Sequence, residues 1–237
     1  MSAFGGPNII TDGLVLNLDA GNIKSYPESG TTWFDKSGNG NDGTLTNGPT
    51  FNTGSLGSIV FDGVNDYCTL GNVTSLNFNR LDPYTFSIFF KSTNVNPAAV
   101  LLGKMDNSLT QGYTVYQLNG RIYTDLGNFS GTANALAVFT SAILSNNTVY
   151  NVVVTYDGSS STSGLKIYLN SVIQSTSVQY NSLTTNFTNT APFYIAGRYP
   201  SAYPFPGSIY TTQVYNRALS SDEVLQNYNA TKTRFGL

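Results

Sequence analysis

Short runs of aromatic and β-branched residues recur along the whole chain, and each stops within roughly eight to fifteen residues at Gly, Asn, Asp or Pro. Runs of that length and composition, alternating apolar and polar, specify strands rather than helices. They predict strands at 14–19, 58–62, 67–70, 84–90, 113–118, 121–126, 149–156, 165–169, 172–177, 193–197 and 208–215. The runs at 58–62 and 67–70 flank a turn at 63–66. In the run at 84–90, Phe86 and Ile88 face one way. Asn119-Gly120 is a two-residue hairpin signal, because a type I′ turn needs positive φ twice. Asn170-Ser171 is expected to join 165–169 to 172–177 in the same manner. One helix is expected: Ser220-Ser221-Asp222-Glu223 forms a capping box, with Val224, Leu225 and Tyr228 on one face. It should run about ten residues on the sandwich rim. The expected fold class is all-β, a two-sheet antiparallel jelly-roll sandwich of residues 14–237 with one short C-terminal helix, preceded by an N-terminal arm, 1–13.

What the chain lacks narrows its chemistry. It has no His, one Cys (Cys68) and only two Glu, Glu28 and Glu223. Ser-His-Asp and Cys-His nucleophilic arrangements, His-ligated metals, thiolate zinc sites and internal disulfides are therefore excluded. Charged residues make up 10% of the chain, with net charge −2. No basic cluster offers a nucleic-acid footprint, and no long apolar run or basic amphipathic helix points to a membrane. Asn, Ser and Thr carry the surface instead: 27, 25 and 28 residues. Such a polar but charge-poor surface suits a protein that must not adhere through its charge.

Five phrases carry a family resemblance: GLVLNLDAGN at 13–22, TTWFDKSGNGNDGTL at 31–45, SIVFDGVNDYCTLGN at 58–72, PYTFSIFFK at 83–91 and GSIYTTQVYNRALSSDEVLQNYN at 207–229. Together they resemble the laminin G-like branch of the concanavalin A-like lectin/glucanase superfamily, of the type found in bacteriophage virion proteins. The last phrase looks like that branch's final strand and capped helix. The resemblance implies the sandwich fold; function stays open, since the superfamily holds lectins, glycosidases and adhesive modules.

Its glucanases carry a Glu nucleophile and a Glu acid/base near an Asp on one strand, whereas here no E-x-D-x-x-E phrase exists. Glu28 falls in a loop and Glu223 is committed to a cap. Many relatives bind calcium. Asp35, Ser37, Asn39 and Asn41, with Gly40 sixth, follow the first half of an EF-hand-like loop. Asp42 adjoins them, and Asp62 or Asp66 would supply a missing ligand. The alternative is that these Asx residues simply make tight turns. Pentraxin-type calcium loops would fall at Asp106-Asn107 and near Gly197-Arg198-Tyr199, but the second carries a cation where ligands are needed.

For glycans, Tyr199, Tyr203 and Phe205 sit in a loop stiffened by Pro200, Pro204 and Pro206, where rigid rings lose little entropy on binding. Arg198 beside them would bond an acidic sugar or a neighbouring subunit. Plain packing and a protein interface are the competing readings. Trp33 is expected to anchor the core, and Cys68 to be a small buried hydrophobe.

Residues 1–8 carry no positive charge and no apolar stretch of the Sec signal type. Release by host lysis as part of a phage particle reconciles this with an extracellular composition. The expected function is a non-enzymatic virion surface protein: a capsid decoration, fibre or tail-surface module, present in several copies, whose partners are other virion proteins and host-surface glycans. Residues 4–10 would serve as a docking arm. The alternative is a calcium-dependent carbohydrate-binding lectin module, and glycoside hydrolysis is the third reading.

Overall fold

Nine consecutive residues, Tyr84–Ser92, form the central strand β7, and only Lys91 among them is not buried. A strand buried on both faces must have a layer on each side, and that requirement organises the molecule. The computed structural model describes residues 7–54, 57–106, 108, 110–130, 134–198 and 202–237.

The first sheet has eight strands in the order β14 (Val172–Ile173), β13 (Leu165–Leu169), β12 (Val149–Tyr156), β7, β17 (Pro206–Tyr215), β5 (Ser58–Asp62) and β4 (Thr50–Asn52). β1 (Leu14–Asp19) shares the flank of β17 with β5. The second sheet has nine: β15 (Thr176–Asn181), β11 (Asn134–Thr140), β10 (Arg121–Asn128), β9 (Gln111–Leu118), β8 (Ala99–Met105), β16 (Phe193–Ile195), β6 (Tyr67–Gly71), β3 (Gly43–Thr46) and β2 (Thr32–Trp33). All the strand pairings are antiparallel. The chain crosses repeatedly between the sheets, as in a jelly roll.

Between the sheets lies an aromatic-rich core. Phe78, Tyr84, Phe86 and Tyr113 pack with ring centroids 4.6 to 6.1 Å apart. Trp33 and Cys68 are fully buried in the same core, as expected.

The expected hairpin at Asn119-Gly120 is present, with φ of 50° and 72° joining β9 to β10. Two other local pairings differ. β5 and β6 enter opposite sheets, so 63–66 is a crossover rather than a hairpin turn. The strand expected at 172–177 is divided: Val172–Ile173 pairs with β13, then the chain crosses and Thr176 opens β15 beside β11.

The helix α1 runs Ser221–Thr231 with the complete capping box. It lies on the outer face of the eight-stranded sheet, not on the rim. Val224 packs with Val153, Tyr168 and Tyr215, and Tyr228 with Phe89 and Tyr210. Its inward face is Val224, Asn227 and Tyr228; Leu225, expected on it, points to solvent at 46% exposure. The polar Asn227 is tolerated there because its amide donates to the Tyr215 hydroxyl and accepts from the Ile10 N–H. Of the expected docking arm, residues 4–6 lie outside the described residues. Asn8 and Ile10 are bound to α1 and β17 through Gln226, Asn227 and Tyr215.

Candidate functional site

The outer face of the nine-stranded sheet, unlike the one that carries the helix, presents a ladder of aromatic rings beside a cavity. The two-residue turn at Asn119-Gly120 fixes the register across β9 and β10, pairing Tyr116 with Tyr123 and Thr114 with Asp125. Ile122, Thr124 and Leu126 point inward and are buried, so Arg121, Tyr123 and Asp125 point outward. On β11, Phe139 faces Tyr123. Three rings therefore stack across three strands: Tyr116 on Tyr123 at 5.0 Å and Tyr123 on Phe139 at 4.9 Å, with planes within 22° of parallel. The Arg121 guanidinium closes the far end, 5.8 Å from the Phe139 ring. The ladder locks Tyr116 in place and leaves its β8-side face open.

That face borders a cavity of about 290 Å³. Val100 and Met105 of β8, Phe129 beyond β10 and Ala98 supply its apolar surface, while Thr114, Asp125, Arg198 and Tyr203 supply its polar groups. Arg198 follows β16, and its backbone pairs with Ala202 in both directions, with Tyr203 directly after that bridge. The Tyr203 carbonyl accepts from the Val100 N–H and ties that segment to β8. The Arg198 guanidinium lies 5.2 Å from the Tyr203 ring.

Arg198 is buried, at 7% exposure, and its Nε has no hydrogen-bond acceptor among the described residues. Burial lowers its pKa from the ordinary value, against the opposing pull of Tyr203, Asp125 and Asp106. Burial also pushes the Asp125 carboxyl up to about 7, although the Thr114 hydroxyl, 3.0 Å away, and Arg198 both favour the ionised form. Asp106, at the end of β8, goes the other way. Burial raises it, but the Thr110 amide and hydroxyl, the Gln111 amide and Arg198 together hold it below the usual range. The site thus offers a rigid ring face, a cation seeking an acceptor and a carboxyl that titrates near neutrality.

Of the residues singled out from sequence, Arg198 and Tyr203 line this cavity. Phe205 does not: it is fully buried, edge-on to Phe90 at 5.9 Å, and belongs to the core. The backbone is left-handed at Tyr203, with φ 55°, and the Phe205 N–H bonds to the Ala196 carbonyl, so the chain does not keep the two rings on one face. Tyr199 lies outside the described residues, as does Asn107. Tyr116, Thr114 and Asp125 escaped the sequence reading, yet their signal was present: counting outward from Asn119-Gly120 pairs Tyr116 with Tyr123 and Thr114 with Asp125.

The loop at 35–42 is a strap. Both oxygens of Asp35 are taken, accepting from the amides of Asn17, Ser37 and Asn41 and from the Ser37 hydroxyl. Asp42 accepts from the Asp35 amide, while Asn39 and Asn41 donate to carbonyls of β1. Asp62 and Asp66 cannot complete the set. β3 and β6 are antiparallel, and Thr46 faces Tyr67. Asp66 therefore faces Asn47, roughly 16 Å along the ladder from Asp42 at the usual strand rise. There Asp62 accepts from three backbone amides of its own turn, and Asp66 from the Asp62 amide. Among the described residues no three acidic or Cys side chains converge as a metal cluster. These donor sets do not fit a calcium ion.

The two glutamates are also occupied or remote. Glu223 receives a two-pronged bond from Arg217, and Glu28 sits in an exposed loop at φ 67°.

Comparison with known proteins agrees with this fold. A search of the curated proteins finds no match. Among solved structures, the binding domain of Paraclostridial Mosquitocidal Protein 1 superposes with a TM-score of 0.70 at 18% identity, over 93% of this chain and 52% of that one. The botulinum neurotoxin serotype D binding domain gives 0.67 at 16%, over 92% and 52%. A Trypanosoma rangeli sialidase gives 0.68 at 15%, over 97% and 35%. This chain thus spans about half of each toxin binding domain and about a third of the sialidase, and at such identities the likeness is one of fold. The family model described as the concanavalin A-like lectin/glucanases superfamily, in its laminin G form, matches residues 62–225. With that match over most of the sandwich, the chain belongs to the concanavalin A-like lectin/glucanase superfamily.

Proposed function

We propose that this domain is a non-enzymatic glycan-recognition module whose binding site is the cavity on the open face of the nine-stranded sheet. One observation carries the reading: the Tyr116 ring, held by its ladder, borders a cavity that also presents Thr114, Asp125, Arg198 and Tyr203. A sugar has an apolar face and a fringe of hydroxyls, so it needs a flat ring on one side and hydrogen-bonding groups around it. Small-ligand sites are built in this way, mostly apolar with a few placed polar groups. Tyr116 is fixed by Tyr123 and Tyr203 by Arg198, so little rotamer freedom remains to be lost on binding.

The carboxyl groups speak for binding over hydrolysis. Retaining glycosidases use two free carboxyls about 5.5 Å apart, and here Asp106 is fully engaged with Thr110 and Gln111, leaving Asp125 alone in the cavity. The toxin binding domains that share the fold lend the reading some support by analogy. A setting on a phage particle, in contact with other virion proteins, belongs to the same proposal and rests on the charge-poor polar composition and the family phrases.

A glycan array probed with the purified domain tests the function. Selective binding is expected, weakened at least about tenfold by Tyr116→Ala and unchanged by EGTA. Release of reducing ends from a bound polysaccharide would overturn the non-enzymatic reading. Mass spectrometry of purified particles tests the setting.

A further inference from the structure

A buried guanidinium is costly unless its hydrogens and its charge are met. The other buried or bridged cations of this chain are met. Lys104 is fully buried, and its ammonium donates to Asn72 Oδ1, the Asn189 carbonyl and the Ala191 carbonyl. Arg217 grips Glu223, Arg234 grips Asp19, and Arg121 donates to the carbonyls of Thr140 and Ser141. Arg198 differs. Among the described residues its Nε has no acceptor and none of the ion pairs includes it. Asp106 and Asp125 are near enough to favour its charge, but Asp106 is occupied by its own turn and Asp125 by Thr114. The Tyr203 ring lies 5.2 Å from the guanidinium, and Arg198 lines the cavity. A planar fork matches a carboxylate, bound through two parallel hydrogen bonds.

Building on the glycan reading above, we propose that the cavity selects a sugar bearing a carboxylate, which Arg198 binds while the sugar ring lies against Tyr116. At about 290 Å³ the cavity is at the small end of ligand sites, the size for one sugar unit. Neutral sugar hydroxyls would accept from the Arg198 fork but leave its buried charge uncompensated, and a site built for a charged partner discriminates against the analogue lacking it.

Asp125 adds a dependence on pH. It faces the same space, and the charged or titratable groups that act on it are Arg198 and Tyr116, with Tyr84 on the core side of the sheet, while Asp106 and Tyr203 act on Arg198 beside it. Ionised, it repels an anionic ligand; protonated, it donates a hydrogen bond to it. Its carboxyl titrates at about 7. Affinity for the acidic sugar therefore rises as pH falls through neutrality, by at most about tenfold per pH unit, the limit for one linked proton.

The test is calorimetric titration of the full chain with the methyl glycosides of glucuronic acid, N-acetylneuraminic acid and glucose, at pH 6 and pH 8. At least one acidic glycoside is expected to bind tenfold or more tighter than the glucoside at pH 6. The two acidic probes distinguish a hexuronic from a nonulosonic ligand. Arg198→Gln should erase the preference, so that the acidic glycosides bind no tighter than the glucoside, and Arg198→Lys should restore only part of it. Asp125→Asn should remove the pH dependence. If Arg198→Gln does not fold, the Arg198→Lys and Asp125→Asn arms decide the outcome. Equal binding of acidic and neutral glycosides overturns this proposal and leaves the glycan reading standing. No binding of any of the three probes, with a blank glycan array, overturns both.

Discussion

Tyr203 and Phe205 are two residues apart in a proline-stiffened loop, yet they do opposite things. Tyr203 is 44% exposed and stacks on Arg198, whereas Phe205 is fully buried against Phe90. Phe205→Ala is expected to cost about 3–5 kcal/mol of stability in chemical denaturation, the usual range for emptying a buried aromatic site. Tyr203→Ala should cost less than about 1 kcal/mol, the worth of an exposed cation–π contact, while weakening glycan binding. A sequence shows that both rings share a loop, but not which one turns inward. Asp35 teaches the same lesson: its spacing to Ser37, Asn39 and Asn41 suits either a cation or the loop's own amides, and only the geometry reveals that the amides hold it. Glu223 combines two jobs, capping α1 and pairing with Arg217, which hold its carboxyl down to about 2. Its folded-state pKa is depressed, so its stabilisation is present above the ordinary 4.5 and is lost as pH falls toward about 2. Glu223→Gln should cost about 1 kcal/mol at pH 7, typical of a cap together with a partly exposed ion pair. The difference from wild type should vanish near pH 2 in acid-unfolding curves.

Among the elements, runs dense in aromatic and β-branched residues were readable even where buried on both faces, as in β7, β12 and β17, whereas short or mixed runs were not. β10 alternates plainly, and its hairpin with β9 follows from Asn119-Gly120. β8 reads AVLLGKM, all buried, and offers no period of two to detect. β2, β3 and β4 are two to four residues long, too short to show a period of any kind. β15 was mistaken for a continuation of β14 because local sequence does not record a change of sheet. The site inherits this limit. Arg198 and Tyr203 were found because one loop carries both, whereas Tyr116 and Asp125 come from different strands and meet only through register. Gly120 tests that register: its φ is +72°, and a Cβ there would sit 2.9 Å from Ile143 Cγ2. Gly120→Ala should destabilise the domain by about 1–2 kcal/mol, the usual cost of a left-handed alanine, and weaken glycan binding along with it. β15 presents a different hazard, as an uncharged edge strand with every residue exposed, Val178 at 57% among them. A lysine blunts such an edge, so Val178→Lys should reduce light scattering on heating without moving the midpoint of chemical unfolding by more than about 0.5 kcal/mol.

At the scale of the molecule, the two sheets differ in what covers them. One outer face is roofed by α1 and the segment at 8–10, and the other carries the ring ladder and the cavity. Deleting the chain from Ser220 onward should uncover Phe89, Tyr210 and Tyr215 and yield a protein that binds a hydrophobic dye and aggregates, since large exposed apolar patches drive association. The same division sets orientation. Asn8 and Gln226 meet on the roofed side, so a tether leaving near either one holds the cavity pointing away from whatever it is tied to. Domains arrayed by such tethers would share a common outward bearing. Several weak contacts could then be made at once, so that avidity would come from the number and spacing of the copies while each cavity stayed weak and quick to let go.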